Sequence, residues 1–219
     1  MRPVIALLWK DILLELRSRD IVVSVLVFAL LVVITFNFAI DPTPQLVAVV
    51  APGILWVSFT FGGVLGFSRS FASEKEHGNI NGLLLAPVGR EAIFFGKMLG
   101  SLLFMLVVEV LVYPVFAVLY NLPLVIPALL PVALLATLGV ATVGTLFAAM
   151  AVNTRSREVM LPVLFFPVIM PVLVAAVEST GALLASDASA LTRWLPFLAV
   201  YDLIFLVACP LAFGMVAEE

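Results

Sequence analysis

Six long apolar stretches alternate with short polar breaks along the 219-residue chain. They fall near 21–40, 46–67, 92–120, 124–152, 159–177 and 195–216. A helix needs about 20 predominantly apolar residues to cross the hydrocarbon core of a bilayer, and each stretch suits that length. The third and fourth exceed it, so they are expected to tilt, kink or project into the cytoplasm. The breaks read as turns: Asp41-Pro-Thr-Pro44 and Asn121-Leu-Pro123 carry turn residues, and Asn153 to Glu158 is a charged hairpin. The pattern predicts an all-α polytopic membrane protein, a single domain of six transmembrane helices over residues 1–219.

Composition sharpens this. The chain is 64% apolar and 11% charged, more apolar surface than a soluble domain of this length hides. Its formal net charge of −3 says little about partners. The placement of the basic residues says more. Arg2, Lys10, Arg17 and Arg19 precede the first span; Arg69, Lys75, Arg90 and Lys97 lie in or beside the second connection; Arg155 and Arg157 lie in the fourth. The first and third connections have none, and the fifth has only Arg193. Positive residues favour the cytoplasmic side, so the N-terminus is expected inside, and an even number of spans returns Ala217-Glu218-Glu219 to the same side. Charges persist to Asp20 and no small-residue cleavage site follows, so the first span reads as an uncleaved anchor.

Several chemistries are disfavoured. Cys209 is the single cysteine, which leaves no intramolecular disulfide, and His77 is the single histidine, so no zinc ligand set can form around them. No GxxxxGK[ST] string occurs; Gly89 to Lys97 has the wrong spacing and no preceding strand. ATP binding by this chain is not expected, nor is a nucleic-acid partner. No nucleophile, base and metal-ligand set converge, so no catalytic residue is assigned.

The N-terminal segment carries its own pattern. Ile5, Leu8, Trp9, Ile12, Leu13 and Leu16 recur at helical spacing, while Lys10, Asp11, Glu15 and Arg17 lie at other angles. This predicts an amphipathic helix in the membrane interface with Trp9 near the headgroups. A plain topogenic anchor is the simpler alternative.

The second connection, Ser68 to Glu91, is the one long break expected on the cytoplasmic side. Its first part reads as a charged helical extension, with Ser73 and Glu76 in capping-box spacing and Gly78 as its stop. Asn79 to Ala86 then reads as a short apolar helix that ends before Pro87. Leu83, Leu84 and Leu85 need something to bury them, either the membrane or another protein.

The string from Glu74-Lys-Glu76-His-Gly78 through Leu83-Leu-Leu-Ala-Pro87 to Arg90, followed by Phe95-Gly96-Lys97, resembles the coupling loop of ABC-2-type exporter permeases. That resemblance implies a type V exporter-like fold in which the loop after span two docks into a cleft of a separate ATPase. Glu74, Glu76 and Gly78 match the acidic turn; Leu83, Leu84, Leu85, Pro87 and Arg90 match the apolar and turn positions that follow. With Leu8-Trp-Lys-Asp-Ile-Leu-Leu-Glu-Leu-Arg-Ser-Arg19 and the lean six-span length, essentially the whole chain resembles the CcmB family of haem exporter permeases of cytochrome c maturation. The loop departs from that family at Lys75-Glu76-His77 and Asn79-Ile80-Asn81, which bears on the details of ATPase contact. The resemblance implies a bacterial inner-membrane location, a CcmA-like ATPase that binds the ATP, and a second copy of the chain in a homodimer. It further implies a CcmC-like haem-handling protein, a CcmD-like small subunit and a CcmE-like haem chaperone. Haem would be a substrate and not a firmly held cofactor, because His77 falls in the coupling loop.

Polar residues inside the spans are the remaining candidates. Glu109 is flanked by Val107, Val108, Val110 and Leu111. An ionisable group at such depth costs about 3 kcal/mol on insertion scales, so it should face the bundle interior, be neutralised or pair. It serves either as an interhelical hydrogen bond or as a lining of the transport path. Asp202, beside Tyr201, reads as lying a turn or two inside span six, where interfacial hydration accommodates it; a pathway role is the alternative. Arg193 and Trp194 read as an interface anchor. Pro162, Pro167 and Pro171 predict a bent or broken fifth span, as a gate or as fixed kinks. Gly62-x-x-x-Gly66 and Gly96-x-x-x-Gly100 permit close helix approach. Glu178 to Trp194 is long enough for a re-entrant or surface helix, which ABC-2 permeases often carry there.

These readings favour an ABC permease half that transmits ATPase closure through residues 70–90. Two rivals stand beside it: an ABC-2 permease for a drug, lipid or polysaccharide, and a membrane scaffold that translocates nothing.

Overall fold

The computed structural model describes residues 2–18, 20–40, 43–76, 89–123, 126–152, 157–185, 187 and 189–216. Seven helices account for nearly all of them: α1 (Arg2–Ser18), α2 (Asp20–Ala39), α3 (Pro44–Glu76), α4 (Arg90–Leu119), α5 (Leu129–Ala151), α6 (Arg157–Leu184) and α7 (Ser189–Val216). Six of them, α2 to α7, hold stretches long and apolar enough to cross a membrane. No strand occurs among the described residues. The protein is an all-α polytopic membrane protein, as hydropathy predicts, because in lipid a helix satisfies its backbone polar groups within itself.

Helix α5 forms the centre of the bundle and touches α3, α4, α6 and α7, while α2 packs on α3 and α4. Small residues explain its place. Ala136, Gly139, Ala141, Gly144 and Ala148 are all buried, and small side chains let membrane helices approach closely. At Gly144 any Cβ would run into the ring of Phe67 on α3, and at Gly66 into the ring of Phe104 on α4. The outer helices turn apolar side chains outward instead. Val23, Val27 and Leu31 are exposed along α2, and Val200, Ile204, Val207 and Leu211 along α7. Repeats of three and four residues make each set one face of its helix, the face that lipid would cover.

Five hydroxyls inside the bundle are satisfied locally. Ser58, Thr60, Thr142, Thr145 and Thr180 each donate to the carbonyl four residues earlier. Trp56 Nε1 on α3 donates to Thr180 Oγ1 on α6 at 2.9 Å, so one hydroxyl both closes its own turn and joins two helices. Helix α4 ends as its sequence suggests. Asn121 takes a left-handed conformation with φ 52°, and Leu122 N–H donates to Ala117 O at 2.8 Å while Asn121 N–H donates to Val118 O at 3.3 Å. Those two bonds form a Schellman cap, in which Asn tolerates the left-handed position.

Four expectations are corrected. α3 continues through Ser73 without interruption, so no new helix is capped there. Of the bent or broken fifth span expected from Pro162, Pro167 and Pro171, the broken form does not occur: α6 runs continuously through all three, packed on α3, α5 and α7, and Tyr201 Oη of α7 donates to Val168 O inside the proline-rich stretch at 2.9 Å. Among the described residues no separate surface helix occupies 178–194, because α6 and α7 both extend into that connection and leave only residues 185–188 between them. Asp202 lies near the middle of α7 and not close to its end, since the helix begins at Ser189.

Candidate functional site

The residues expected to couple the chain to an ATPase flank the break between α3 and α4. Glu74 and Glu76 fall in the last turns of α3. Gly78, Leu83, Leu84, Leu85 and Pro87, and the apolar helix expected over 79–86, lie outside the described residues. Arg90 opens α4, and its Nη1 donates to Gly214 O near the end of α7 at 2.8 Å. The far root of the loop is thereby tied to the last span.

A second tie lies about two helix turns further on. Lys97 is buried, with its side chain 4% exposed. Its Nζ stands 3.1 Å from Asp11 Oδ2 of α1 and 5.6 Å from the centre of the Phe71 ring in the outgoing part of α3. Lys10 adds a second, more exposed cation 3.3 Å from Asp11 Oδ1. Leu7 fits against Gly96, where a Cβ would come within 2.8 Å of the leucine Cβ, and Asp11 fits against Gly100. The Gly96-x-x-x-Gly100 pair is therefore used inside the chain, as the seat of α1. Ile5, Trp9 and Leu13 remain exposed on the other side of α1, in one stripe at intervals of four. That disposition suits a helix with one face on the bundle and one in the membrane interface.

Two carboxyl groups are buried within the spans among the described residues, and both border α5. Glu109 on α4 accepts a hydrogen bond from Thr137 Oγ1 on α5. Asp202 on α7 is 3% exposed, and neither of its oxygens has a hydrogen-bond partner among the described residues. It sits opposite Gly139 of α5, where a Cβ would lie 2.8 Å from Oδ1. Interfacial hydration, the reading offered by the sequence, does not describe this place. Among the described residues no three His, Cys, Asp or Glu side chains gather as a metal site. Arg193 stacks over Trp194 at 5.0 Å, at the start of α7.

Sequence reasoning missed the partners: Asp11 and Phe71 for Lys97, Thr137 for Glu109, and Gly139 for Asp202. A signal existed for the first. Lys97 stands between the two glycines of a close-approach pair, a place where a buried cation needs an anion from the neighbouring helix.

Six helices long and apolar enough to cross a membrane, tied to one another by buried polar contacts, define a polytopic membrane protein. The model of a family described as "CcmB protein" matches residues 2–218. The chain is 32% identical over 205 residues to "Heme exporter protein B" of Rhodobacter capsulatus, covering 88% of this chain and 94% of that one. Against the protein of the same name from Paracoccus denitrificans it is 32% identical over 210 residues, 94% of each, and against that from Pseudomonas aeruginosa 32% identical over 181 residues, 82% of this chain and 80% of that one. The chain belongs to the CcmB family.

Proposed function

We propose that this chain is the membrane permease subunit of an ATP-driven haem export system serving cytochrome c maturation. The family match over residues 2–218 carries the reading, because it takes in the N-terminal helix, all six spans and the α3–α4 loop together. ATP chemistry belongs to a separate CcmA-like ATPase, which docks on the loop between Glu74 and Arg90. Closure of that ATPase pushes the loop, and the roots of α3 and α4 pass the displacement to the bundle around α5. Haem is the cargo, carried across or released to a CcmE-like chaperone with CcmC-like and CcmD-like proteins alongside, and this chain holds no resident cofactor. Two copies form the working unit. Both termini face the cytoplasm and the bundle sits in the bacterial inner membrane, an orientation supported by the clustering of basic residues on the N-terminal, α3–α4 and α5–α6 segments.

The test is complementation. In a bacterium lacking its own member of the family, expression of this chain with its ATPase should restore haem-stained c-type cytochromes. Restored export of a drug or lipid with no return of cytochromes would redirect the reading to another ABC-2 substrate.

A further inference from the structure

The pairing of Lys97 with Asp11 is not explained by stability. Two charges drawn out of water lose hydration that their attraction barely repays, and an apolar pair of similar volume holds helices together as well or better. What a buried pair does supply is register, since sliding one helix along the other leaves a charge buried and alone. The geometry here has that character. Leu7 meets Gly96 and Asp11 meets Gly100, so α1 and α4 advance together in the same direction, and Lys97 lies between the two glycine seats. Its Nζ contacts both oxygens of Asp11, at 3.1 and 3.3 Å. The same ammonium faces the Phe71 ring at 5.6 Å, and that ring is buried near the point where α3 runs out toward Glu76. One cation thus touches three helices, two of which lead into and out of the α3–α4 loop.

We infer that Lys97 is a positioning residue for the coupling loop: through Asp11 and Phe71 it sets α1 and the outgoing end of α3 in one register against α4. Loop displacement is then delivered to the N-terminal helix as well as to the spans. This rests on the reading of the loop as the ATPase dock.

The experiment uses the full chain in lipid nanodiscs, with Cys209→Ser as background and spin labels at Ile5→Cys on α1 and Leu65→Cys on α3, both exposed positions. The distance between labels is recorded without ATPase, and stimulation of the co-purifying ATPase is measured separately. Lys97→Arg, which keeps the charge, should retain one narrow distance and near-normal stimulation. Lys97→Met removes the buried cation, leaves Asp11 only the more exposed Lys10, and is expected to lower thermal stability. The double variant Asp11→Asn with Lys97→Met removes both charges and should recover thermal stability. It should nevertheless show a broadened or shifted distance and about fivefold or more loss of stimulation, the scale of a typical coupling energy. A double variant that matches the unmodified chain in both distance and stimulation overturns the inference, because a merely structural pair predicts that result. An unchanged distance in Lys97→Met overturns it as well. If the unmodified chain captures no ATPase, the docking reading fails by itself, and the label distances still decide whether Lys97 sets the register.

Discussion

Thr137 Oγ1 on α5 donates a hydrogen bond to Glu109 Oε1 on α4, joining two membrane-spanning helices through a carboxyl that is 6% exposed. The bond gives Glu109 a partner where an isolated ionisable group is costly. Thr137→Val removes the donor without changing the volume much, so unfolding in a detergent titration should show a loss of about 1–2 kcal/mol. Glu109→Gln keeps an acceptor of the same shape and should cost less than about 1 kcal/mol. Equal losses in both variants would mean that the hydrogen bond is not what Glu109 contributes to the bundle.

Gly139 is the counterpart of Asp202. A methyl group at this position would meet the carboxyl oxygen at 2.8 Å and must displace it. Gly139→Ala is expected to destabilise by about 1–3 kcal/mol, the usual range for overpacking. In an Asp202→Ala background the same change should cost markedly less, because residues in contact are non-additive. A thermal-unfolding double-mutant cycle measures this; additive losses would show that the two do not bear on each other.

Much of this architecture is legible from local pattern. Six spans follow from length and apolarity, and the turn at Asn121 from a residue type that tolerates φ 52°. The pairings are not, because they join residues far apart in the chain: Lys97 and Asp11 are separated by 86 positions, and no periodicity points from one to the other. Asp202 was misplaced for a different reason. Arg193 and Trp194 look like the end of a span, yet α7 starts at Ser189 and carries them within its first turns, moving Asp202 to mid-helix. The prolines of α6 do not break it, since proline propensity is a local rule and three neighbouring helices pack against this one. Residues 77–88, which carry most of the family resemblance in the loop, lie outside the described structure, so their roles rest on sequence.

Asp187 offers a pH test outside the spans. Hydrogen bonds from Ser189 Oγ at 2.6 Å and from Ser189 N–H at 2.9 Å hold its carboxyl below the usual value of 3.8. A lowered pKa means that the interaction is fully present above the ordinary carboxylate range and is lost as pH falls through the lowered value. Amide exchange in the first turn of α7, corrected for intrinsic rates, should therefore stay slow from neutral pH down to about 4 and quicken below it. Asp187→Ala should already exchange faster at neutral pH.

Orientation can be read with reporters. An alkaline-phosphatase fusion after Asn121, beyond the end of α4, should be active in the periplasm. One after Asn153, beyond α5, should be inactive while a cytoplasmic fluorescent fusion there is bright. The reverse pattern would invert the topology and place the α3–α4 loop out of reach of any ATPase.

The central claim, that a separate ATPase drives this chain through the loop between α3 and α4, is tested most directly by affinity purification after coexpression with the ATPase. The account predicts that the unmodified chain retains the ATPase and stimulates it, and that Glu74→Ala, Glu76→Ala and Leu84→Ala combined reduce the bound fraction about tenfold or more, as the loss of an interface hot spot does. An ATPase that stays bound and fully stimulated by the triple variant would contradict it.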